Sequence, residues 1–450
     1  MSEQTQQTEH TRRGVVVVGA GMAGVQTAVA LREQGWTGPV TLLGAEPHQP
    51  YDRPPLSKAV LLGKAEDSAF DVDFEGLDIE LRLGVEVTGL RPAAREVDTE
   101  AGPVPYGILV LATGARPLNL PGAEGVPGVH LLRTLDDAAR LRPVLAAASA
   151  VVVVGAGWIG AEFATAAREA GCEVTVVEAA DRVLAGALPA EVAGPMGRWY
   201  AQAGASLLTG ARVASVEEGR VLLGDGRELA AGAVVVGIGA RPATDWLAGS
   251  GVELGPDGAV VADEHLRTSV PGVYAVGDCA SFPSGRYGAR LLVHHWDNAL
   301  QGPRVVAANI LAARTTDPAG AQAADRGGEE AAGRRADRGG DEVPGRGGDQ
   351  AAGRTAEQVY DPVPYFWSEQ FGRFVQYAGH HGASDALVWR GDPEAEAWSV
   401  CWLREDRMVA VLAVGRPRDL AQGRRLVESG ARVDPAKVAD PAVALKSATV

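Results

Sequence analysis

Two stretches of the chain join an unbroken apolar run to a glycine-rich turn and a segment of small residues. The first reads VVVVGAGMAGVQTAVA at 15–30, and the second reads VVVVGAGWIGAEFATA at 151–166. Four consecutive valines are typical of a strand that is buried on both faces of a parallel sheet. Each small-residue segment has helical length and leads into another apolar run. The pattern therefore predicts two strand–helix–strand units and an α/β fold.

Two further apolar runs end in the same way. YGILVLATGARP at 106–117 and AVVVGIGARP at 233–242 both pass from a strand through glycine into Ala-Arg-Pro. Such exits suit a chain that crosses out of a nucleotide-binding domain. They place domain boundaries near residues 117 and 242.

Large apolar residues almost vanish between about residues 313 and 358, where ADRGG occurs twice. Such a segment cannot bury enough surface to offset its ordering entropy, so we expect a flexible insert. Because Asp and Glu alternate with its arginines, a solvated linker is favoured over an RNA-binding tract. The segments FVQYAG, ALVWRG, AWSVCWL and MVAVLAVG follow and predict an antiparallel meander. With the helix predicted at RDLAQGRRLVESG, they form a third, smaller α+β domain.

Charge and cysteine content narrow the function classes. The 450 residues carry a formal net charge of -15, which argues against binding nucleic acid. We see no apolar stretch long enough to cross a membrane, and the polar first 13 residues lack the apolar part of a secretory signal. The three cysteines, Cys172, Cys279 and Cys401, are far apart and form no redox pair or zinc motif. We therefore expect a cytoplasmic protein with reduced thiols, no metal site and a disordered lead at 1–13.

The glycine turns are suited to binding dinucleotides. Each has the form G-x-G-x-x-G, after a strand and at the start of a helix. The first glycine makes the turn, the second lets the backbone approach a pyrophosphate, and the third packs the helix on the strand. Two such turns predict two bound nucleotides.

The residue after the next strand distinguishes the two units. In the second unit it is Glu178, which can accept hydrogen bonds from both adenosine ribose hydroxyls and would repel a 2′-phosphate. This predicts NADH rather than NADPH, with Arg182 partly offsetting the repulsion. In the first unit Gly44 occupies the equivalent position, and Glu46 is the nearest carboxylate for a ribose.

A strand that ends in Gly-Asp, in GVYAVGDCA at 272–280, supplies a third nucleotide signature. Asp278 can hold a ribityl hydroxyl, which points to FAD in the first unit.

At this point the sequence resembles the FAD-dependent pyridine nucleotide reductases of the ferredoxin reductase type, which serve cytochromes P450 and aromatic-ring dioxygenases. The motifs that carry the resemblance are PYDRPPLSK (50–58), both glycine turns, both Gly-Ala-Arg-Pro exits, VYAVGDCA, HHWDNALQG (294–302) and VPYFWSEQFG (363–372). It covers about residues 13–312 and 359–450 and leaves out the insert.

The resemblance implies two Rossmann-like domains, with the NAD domain inserted into a discontinuous FAD domain, and a small C-terminal α+β domain. The expected boundaries are 14–117 and 243–312 for the FAD domain, 118–242 for the NAD domain, 313–358 for the insert and 359–450 for the C-terminal domain.

The resemblance also implies roles for individual residues. Lys58 is expected near the flavin N5, paired with Glu162, and Trp367 beside the flavin ring where electrons leave. The expected FAD-binding residues are Gly19, Ala20, Gly21, Gly24, Glu46, Arg53, Lys58, Val87, Thr113, Gly114, Arg133, Asp278 and Trp296. The expected NAD-binding residues are Gly155, Gly157, Trp158, Ile159, Gly160, Glu178 and Gly239. His294 departs from the family, which often has Glu before the His-Trp pair.

The expected reaction passes a hydride from NADH to FAD and then single electrons to a small iron–sulfur protein. No cysteine pair lies near PYDRPPLSK, where disulfide reductases of the superfamily carry theirs. Because ferredoxins are acidic, we expect basic residues near the flavin edge, with these candidates: Arg286, Arg290, Arg304 and Arg373. The enzyme is expected to be a monomer or homodimer.

Two alternatives remain open. One is an NADH oxidase or a component of a rubredoxin or nitrite reductase, although Ser57 and Lys58 fill the stretch where such oxidases usually need a cysteine. The other is a redox-sensing flavoprotein resembling the apoptosis-inducing factors.

Overall fold

The computed structural model describes residues 14–315 and 357–450. Two parallel five-stranded sheets and one antiparallel five-stranded sheet form its main layers, which confirms the predicted fold class. The predicted lead at 1–13 and nearly all of the predicted insert lie outside the described residues. The helix that precedes the insert continues to Thr315, slightly beyond the predicted start of the insert.

The first sheet is built from both ends of the region 14–315. The strands of residues 14–117 are β1 (Val15–Val18), β2 (Val40–Leu43), β3 (Glu80–Arg82), β4 (Val87–Arg91), β5 (Glu96–Thr99), β6 (Val104–Pro105), β7 (Ile108–Leu111) and β8 (Ala115–Pro117), with helix α1 (Met22–Glu33) and a 3₁₀ turn at Pro54–Ser57. β4, β5 and β6 form a small separate sheet.

The second sheet lies within the middle of the chain. Its region contains β9 (Val129–His130), α2 (Leu135–Ala146), β10 (Val151–Val154), α3 (Trp158–Glu169), β11 (Val174–Val177), α4 (Ala190–Gln202), β12 (Ser206–Leu208), β13 (Val213–Glu217), β14 (Arg220–Leu223), β15 (Glu228–Ala230), β16 (Ala233–Val236) and β17 (Ala240–Pro242). β13, β14 and β15 form an antiparallel layer beside it.

The chain then returns to the first sheet. This part contains β18 (Val260–Val261), β19 (Val273–Ala275), β20 (Ala280–Ser284), β21 (Ala289–Leu292) and α5 (Trp296–Thr315), with 3₁₀ turns at Asp245–Leu247 and Gly277–Cys279. The first sheet has the order β19-β7-β1-β2-β3, and the second has the order β12-β11-β10-β16-β9. Every pairing in both sheets is parallel. The valine strand that precedes each glycine turn is therefore the central strand of its sheet.

The two Ala-Arg-Pro exits pair with each other. β8 and β17 form a two-stranded antiparallel sheet in which Arg116 lies opposite Arg241. The two strands on which the chain leaves its nucleotide sheets thus run side by side. This pairing brings the carboxyl ends of β7 and β16, and so the corresponding edges of the two sheets, close together.

The C-terminal part is an antiparallel sheet with helices. Its elements are β22 (Tyr365–Gln370), β23 (Arg373–Gly379), β24 (Ala386–Arg390), β25 (Trp398–Arg404), β26 (Arg407–Val414), α6 (Pro417–Ser429) and α7 (Pro435–Ala439), with a 3₁₀ turn at Leu445–Ser447. The sheet order is β22-β23-β26-β25-β24, so β23 pairs with β26 and not with β24. The predicted simple meander is wrong at that point. The alternation of side chains specifies each strand but not which strand becomes its neighbour.

No helix in the described ranges is long and apolar enough to cross a membrane. Nor does any group of three or more His, Cys, Asp or Glu side chains in those ranges have the arrangement of a metal site.

Candidate active site

One continuous cleft of about 1430 Å³ joins the two nucleotide units. Both glycine turns line it, at Gly19–Gly21 in the first unit and at Gly155 and Gly157 in the second. Among the other predicted site residues that line it are Glu46, Arg53, Lys58, Val87, Thr113, Gly114, Arg133, Trp158, Ile159, Glu162, Glu178, Gly239, Asp278, Trp296 and Trp367. Ile159 is exposed at the mouth. Residues of both nucleotide units and Trp367 of the C-terminal domain therefore line the same cleft.

Each glycine in a turn meets a different constraint. Gly19 has φ +108°, and a Cβ there would lie 2.2 Å from the carbonyl oxygen of Ala112. A Cβ on Gly24 would lie 1.8 Å from the carbonyl oxygen of Gly19. A Cβ on Gly21 would meet nothing within 4 Å. Only the middle glycine therefore leaves open space where a pyrophosphate can approach the backbone.

The second turn repeats this geometry. Gly155 has φ +102°, with its would-be Cβ 2.4 Å from the carbonyl oxygen of Gly237, and a Cβ on Gly160 would lie 2.1 Å from the carbonyl oxygen of Gly155. Gly24 and Gly160 do not line the cleft, although we expected both to bind a nucleotide. Their backbone packs the helix against the turn, so they serve the site only by holding its shape.

Glu178 is held by the backbone at the second turn. Its Oε2 accepts a hydrogen bond from the Ala156 amide at 2.7 Å, and its Oε1 accepts one from the Ala180 amide at 2.8 Å. Each carboxylate oxygen keeps a further lone pair for another donor. At the equivalent position in the first unit, a Cβ on Gly44 would lie 2.8 Å from the Cβ of Ala20. The first unit therefore has no room for the side chain that the second unit uses.

Glu46 has partners of its own. Arg53 Nη2 donates to Glu46 Oε1 at 2.7 Å, and the Tyr51 hydroxyl donates to Oε2. Arg53 Nη1 also donates to the carbonyl oxygen of Arg133 at 2.7 Å. Burial, together with other effects of the site, raises the pKa of Tyr51 to about 12. This network connects the loop after β2 to the start of α2.

Lys58 and Glu162 form an ion pair in the wall of the cleft. Lys58 Nζ donates to Glu162 Oε2 at 2.7 Å, and the Ser57 hydroxyl donates to the same oxygen at 2.6 Å. The Ser368 hydroxyl donates to Oε1 at 2.8 Å. Glu162 is 6% exposed, so its charge depends on these donors rather than on water.

The other predicted ionic residues of the first unit also contact each other. Arg133 Nη2 lies 3.0 Å from Asp278 Oδ2. Arg133 is placed by the capping box at the start of α2, where Asp137 accepts hydrogen bonds from the amides of Arg133 and Thr134. A Cβ on Gly114, which has φ +70°, would lie 3.6 Å from Arg133 Nη2. Arg133, a cation that could bind a phosphate, is thus adjacent to Asp278, a carboxylate that could bind a hydroxyl.

Aromatic rings from three regions meet in the cleft. Trp296, the first residue of α5, packs edge-on against Trp367 at 5.6 Å between ring centroids. Trp296 Nε1 donates to Asp52 Oδ1 at 2.7 Å. Burial raises the pKa of Asp52, while this hydrogen bond acts in the opposite direction. Trp158, which follows the second glycine turn, packs edge-on against Phe366 at 4.7 Å.

Two adjacent histidines precede Trp296. The His295 ring stacks on Phe366 with 4.4 Å between centroids. Burial lowers the pKa of His295 to about 4, although the charge of Asp278 acts in the opposite direction. His294 lines the same cleft, and its Nε2 is buried with no hydrogen-bond partner among the described residues. The imidazole of His294 therefore stands where the family often has a carboxylate.

None of the four arginines expected to attract a partner lines the cleft, as far as the structure describes it. Arg286 Nη1 donates to the carbonyl oxygens of Val427 and Glu428. Arg290 Nη1 likewise donates to two backbone carbonyl oxygens. Arg373 donates to Gln202 and lies over the Trp199 ring, and Arg304 pairs with Glu33 at the surface. Arg286, Arg290 and Arg373 therefore make contacts within the fold. The sequence shows that these positions are charged but not which groups they contact.

Four residues of the site are not among those predicted from sequence: Tyr51, Asp52, Phe366 and Ser368. All four belong to the motifs PYDRPPLSK and VPYFWSEQFG. Strand alternation was the available signal for the second motif, because it places Phe366 and Ser368 on one face and Trp367 on the other.

The chain belongs to the pyridine nucleotide-disulphide oxidoreductase family, whose model matches residues 13–302, and a reductase C-terminal model matches residues 365–449. It is similar to rhodocoxin reductase of Rhodococcus erythropolis, with 33% identity over 96% of this chain and 94% of that protein. The ferredoxin–NAD(+) reductase component of the p-cumate 2,3-dioxygenase system of Pseudomonas putida is 33% identical, over 97% of this chain and 98% of that one. These findings confirm the resemblance that the motifs indicated.

A solved structure has the same architecture over nearly its whole length. It is the reductase in a covalent putidaredoxin reductase–putidaredoxin complex, with a TM-score of 0.84, 31% identity, and coverage of 97% of this chain and 98% of that one. FAD and a nicotinamide nucleotide are the cofactors that the family implies. The open space at Gly21 and the paired Arg133 and Asp278 fit a pyrophosphate and a ribityl chain in the first unit. Glu178 at the second turn fits an adenosine ribose.

Proposed function

We propose that this protein is an NADH-dependent ferredoxin reductase that delivers electrons to a monooxygenase or dioxygenase system through a small iron–sulfur protein. The observation that carries the proposal is the single cleft lined by both glycine turns, with the Lys58–Glu162 pair between them. Among the described residues that line the cleft there is no cysteine, and all three cysteines of the chain are buried and free. A thiol relay therefore has no residue to use, and electrons must leave by direct transfer.

The reaction balances over one NADH and two ferredoxins. NADH loses a hydride, which carries two electrons, and becomes NAD⁺. Each oxidised ferredoxin gains one electron, and one proton is released to water. FAD, when bound, supplies the exchange between the two-electron donor and the one-electron acceptor.

The residues of the chain supply position and charge for this exchange. Lys58 holds a cation in the cleft, where it would stabilise negative charge, and Glu162 keeps that cation in place. Trp158 begins the helix that follows the second turn and lines the cleft, where it would border the nicotinamide of a bound NADH. Trp296 and Trp367 pack edge-on and add apolar surface to the cleft.

Glu178 supports NADH as the donor. Its carboxylate would repel the extra phosphate of NADPH by roughly 4 kcal/mol at 4 Å and an effective dielectric constant near 20, less where water screens it. Arg182 was expected to offset this charge, but its Nη1 donates to Asp181 at 2.9 Å. Because Asp181 compensates part of the charge of Arg182, we expect the negative charge of Glu178 to dominate at the ribose.

Two names among the relatives support a ferredoxin partner: the dioxygenase component of Pseudomonas putida and the reductase solved with putidaredoxin. Arg424 lies on the Trp367 side of the molecule, with its guanidinium over the Tyr365 ring, and it also pairs with Glu428 at 3.1 Å and with Asp297 at 3.7 Å. Tyr365 in turn stacks with Trp367 at 6.1 Å. We infer that a ferredoxin approaches this face, where Trp367 lines the cleft. The cytoplasmic location and the monomer or homodimer stay predictions.

Anaerobic stopped-flow spectroscopy tests the function. The flavin-loaded protein is mixed with NADH or NADPH, then with a P450-type ferredoxin, a dioxygenase-type ferredoxin, a rubredoxin, or oxygen alone. We expect fast reduction by NADH and one-electron reduction of a ferredoxin. Faster turnover with oxygen alone than with any ferredoxin would favour the oxidase instead.

A further inference from the structure

The first strand of the C-terminal domain lies along the helix that follows the second glycine turn. Trp158, Glu162 and Thr165 share one face of α3, because their spacing is i, i+4 and i+7. β22 contacts this face at each level. The Phe366 ring packs on Trp158, the Ser368 hydroxyl donates to Glu162 at 2.8 Å, and the amide that follows the strand, of Phe371, donates to the Thr165 hydroxyl at 2.9 Å.

The two faces of β22 have different tasks because strand side chains alternate. Ser368 and Gln370 point toward α3, and both are 1% exposed. Trp367 points the other way, into the cleft and against Trp296. A single short strand thus holds a cleft residue on one face and contacts the buried carboxylate on the other.

Glu162, on the second nucleotide unit, accepts hydrogen bonds from the two other domains. Lys58 and Ser57 come from the first nucleotide unit and bind Oε2, while Ser368 comes from the C-terminal domain and binds Oε1. Gln370 Nε2 donates to the Ser368 hydroxyl oxygen at 3.2 Å, which orients that hydroxyl. Ser368 is the only donor to Oε1 among the described residues.

This arrangement determines what the Lys58 cation can do. A buried carboxylate needs its hydrogen bonds, and one lost donor leaves charge that its other partners must compensate. With Ser368 in place, Oε1 is satisfied, so Oε2 stays turned toward Lys58. Without it, Oε1 has no donor among the described residues, so the negative charge of Glu162 is less well compensated and counts more heavily in the cleft.

We propose that Ser368, oriented by Gln370, is a positioning residue through which the C-terminal domain fixes the Lys58–Glu162 pair beside the flavin. The inference rests on the proposed function only in that it requires a flavin in the cleft. The C-terminal domain would then do more than present Trp367 to a partner. It would also tune how readily the flavin accepts a hydride.

The test compares Ser368→Ala with Ser368→Thr, which restores a hydroxyl, and with Ser399→Ala as a matched control. Ser399 is fully buried in the same domain and donates to Asp419 Oδ2 at 2.8 Å, and neither residue lines the cleft, so its loss removes a similar bond outside the site. Three quantities are measured for each variant: the flavin midpoint potential in a dye-coupled titration, the rate of flavin reduction by NADH, and the thermal midpoint.

For Ser368→Ala we expect a more negative potential and a reduction rate lower by about tenfold, as the loss of one hydrogen bond to a charged group predicts. Ser368→Thr should recover most of both. Ser399→Ala should lower the thermal midpoint while leaving potential and rate unchanged. Gln370→Leu should shift potential and rate in the same direction as Ser368→Ala, by less.

A wild-type potential and rate in fully flavinated Ser368→Ala would overturn the proposal, as would equal shifts in Ser399→Ala. None of the three measurements uses a ferredoxin. A failure of the proposed function, in which wild type cannot reduce any ferredoxin, is therefore distinguishable from a failure of this inference.

Discussion

The two nucleotide units share a backbone plan and differ in how they end their second strand. β1 and β10 occupy the same place in their sheets, and the three glycines of each turn meet the same constraints. Gly44 follows β2 where Glu178 follows β11. The comparison teaches that the fold of a nucleotide site and its choice of nucleotide are set by different residues.

The neighbours of the two turn helices differ as well. α1 of the first unit packs against α5, which belongs to the same unit. α3 of the second unit presents its outer face to β22 of the C-terminal domain. The first helix therefore closes its own domain, while the second connects domains, and only the second carries a buried carboxylate in the cleft.

The largest effect should come from the third glycine of each turn. We expect Gly24→Ala and Gly160→Ala to lower the free energy of unfolding by more than about 3 kcal/mol, because the new Cβ overlaps a backbone oxygen that cannot move aside. Urea unfolding of each variant checks this. Wild-type stability in either variant would contradict the constraint derived from its turn.

The middle glycines provide the matched comparison. Gly21 and Gly157 have φ of -80°, which any residue adopts, and their would-be Cβ atoms meet open space or a single atom at 4.0 Å. Gly21→Ala should therefore keep its stability without ligand but lose FAD, and Gly157→Ala should keep FAD but bind NADH weakly. Flavin content and NADH titration separate the two units.

The second prediction concerns the residue at which the units differ. Glu178→Gln should raise the ratio of NADPH to NADH efficiency, as kcat/KM, by about tenfold or more, because a neutral side chain no longer repels a phosphate. Steady-state kinetics with both nucleotides measure the ratio. Glu46→Gln in the first unit is the control and should leave it unchanged. An unaltered ratio in Glu178→Gln would remove the physical basis for NADH preference.

Much of what the two nucleotide units share could be predicted from the sequence. The valine runs and glycine spacing predicted both central strands and both turns, since buried parallel strands and glycine turns leave strong local patterns. The order β23-β26 in the C-terminal sheet was not predictable from alternation. Nor was the structural use of Arg286 and Arg290, because an arginine that donates to distant carbonyls looks the same in sequence as an exposed one.

The third prediction uses the histidines. His295 in the first unit has its pKa lowered to about 4, and His130 in the second unit also has a lowered pKa, with burial the main cause in both. The unfolded state then takes up a proton that the folded state refuses. The contribution of the neutral histidines to the free energy of unfolding is fully present above about pH 6.5 and is lost as the pH falls toward 4. For His295 the loss at pH 5 is about 2 kcal/mol.

His295→Phe keeps the stacking on Phe366 and removes the titration. We expect its urea-derived stability to fall less than that of wild type between pH 7.5 and pH 5, with the remaining slope including the part from His130. Parallel pH profiles for the two proteins would show that His295 is protonated as easily in the fold as outside it.

The smallest effect should appear at Gly44. Its Cβ would lie 2.8 Å from the Ala20 Cβ, which moves only with its own backbone, and 3.2 Å from Leu83 Cδ2, which can rotate away; both contacts are longer than the 1.8 Å overlap at Gly24. Gly44→Ala should therefore cost about 1–2 kcal/mol, below the cost at Gly24. Gly186→Ala in the second unit, where a Cβ meets nothing within 4 Å, should change stability by less than about 0.5 kcal/mol. If Gly44→Ala is as stable as this control, the first unit has room for a carboxylate after β2. The lack of a carboxylate after β2 would then reflect which nucleotide the unit binds and not the packing of the turn.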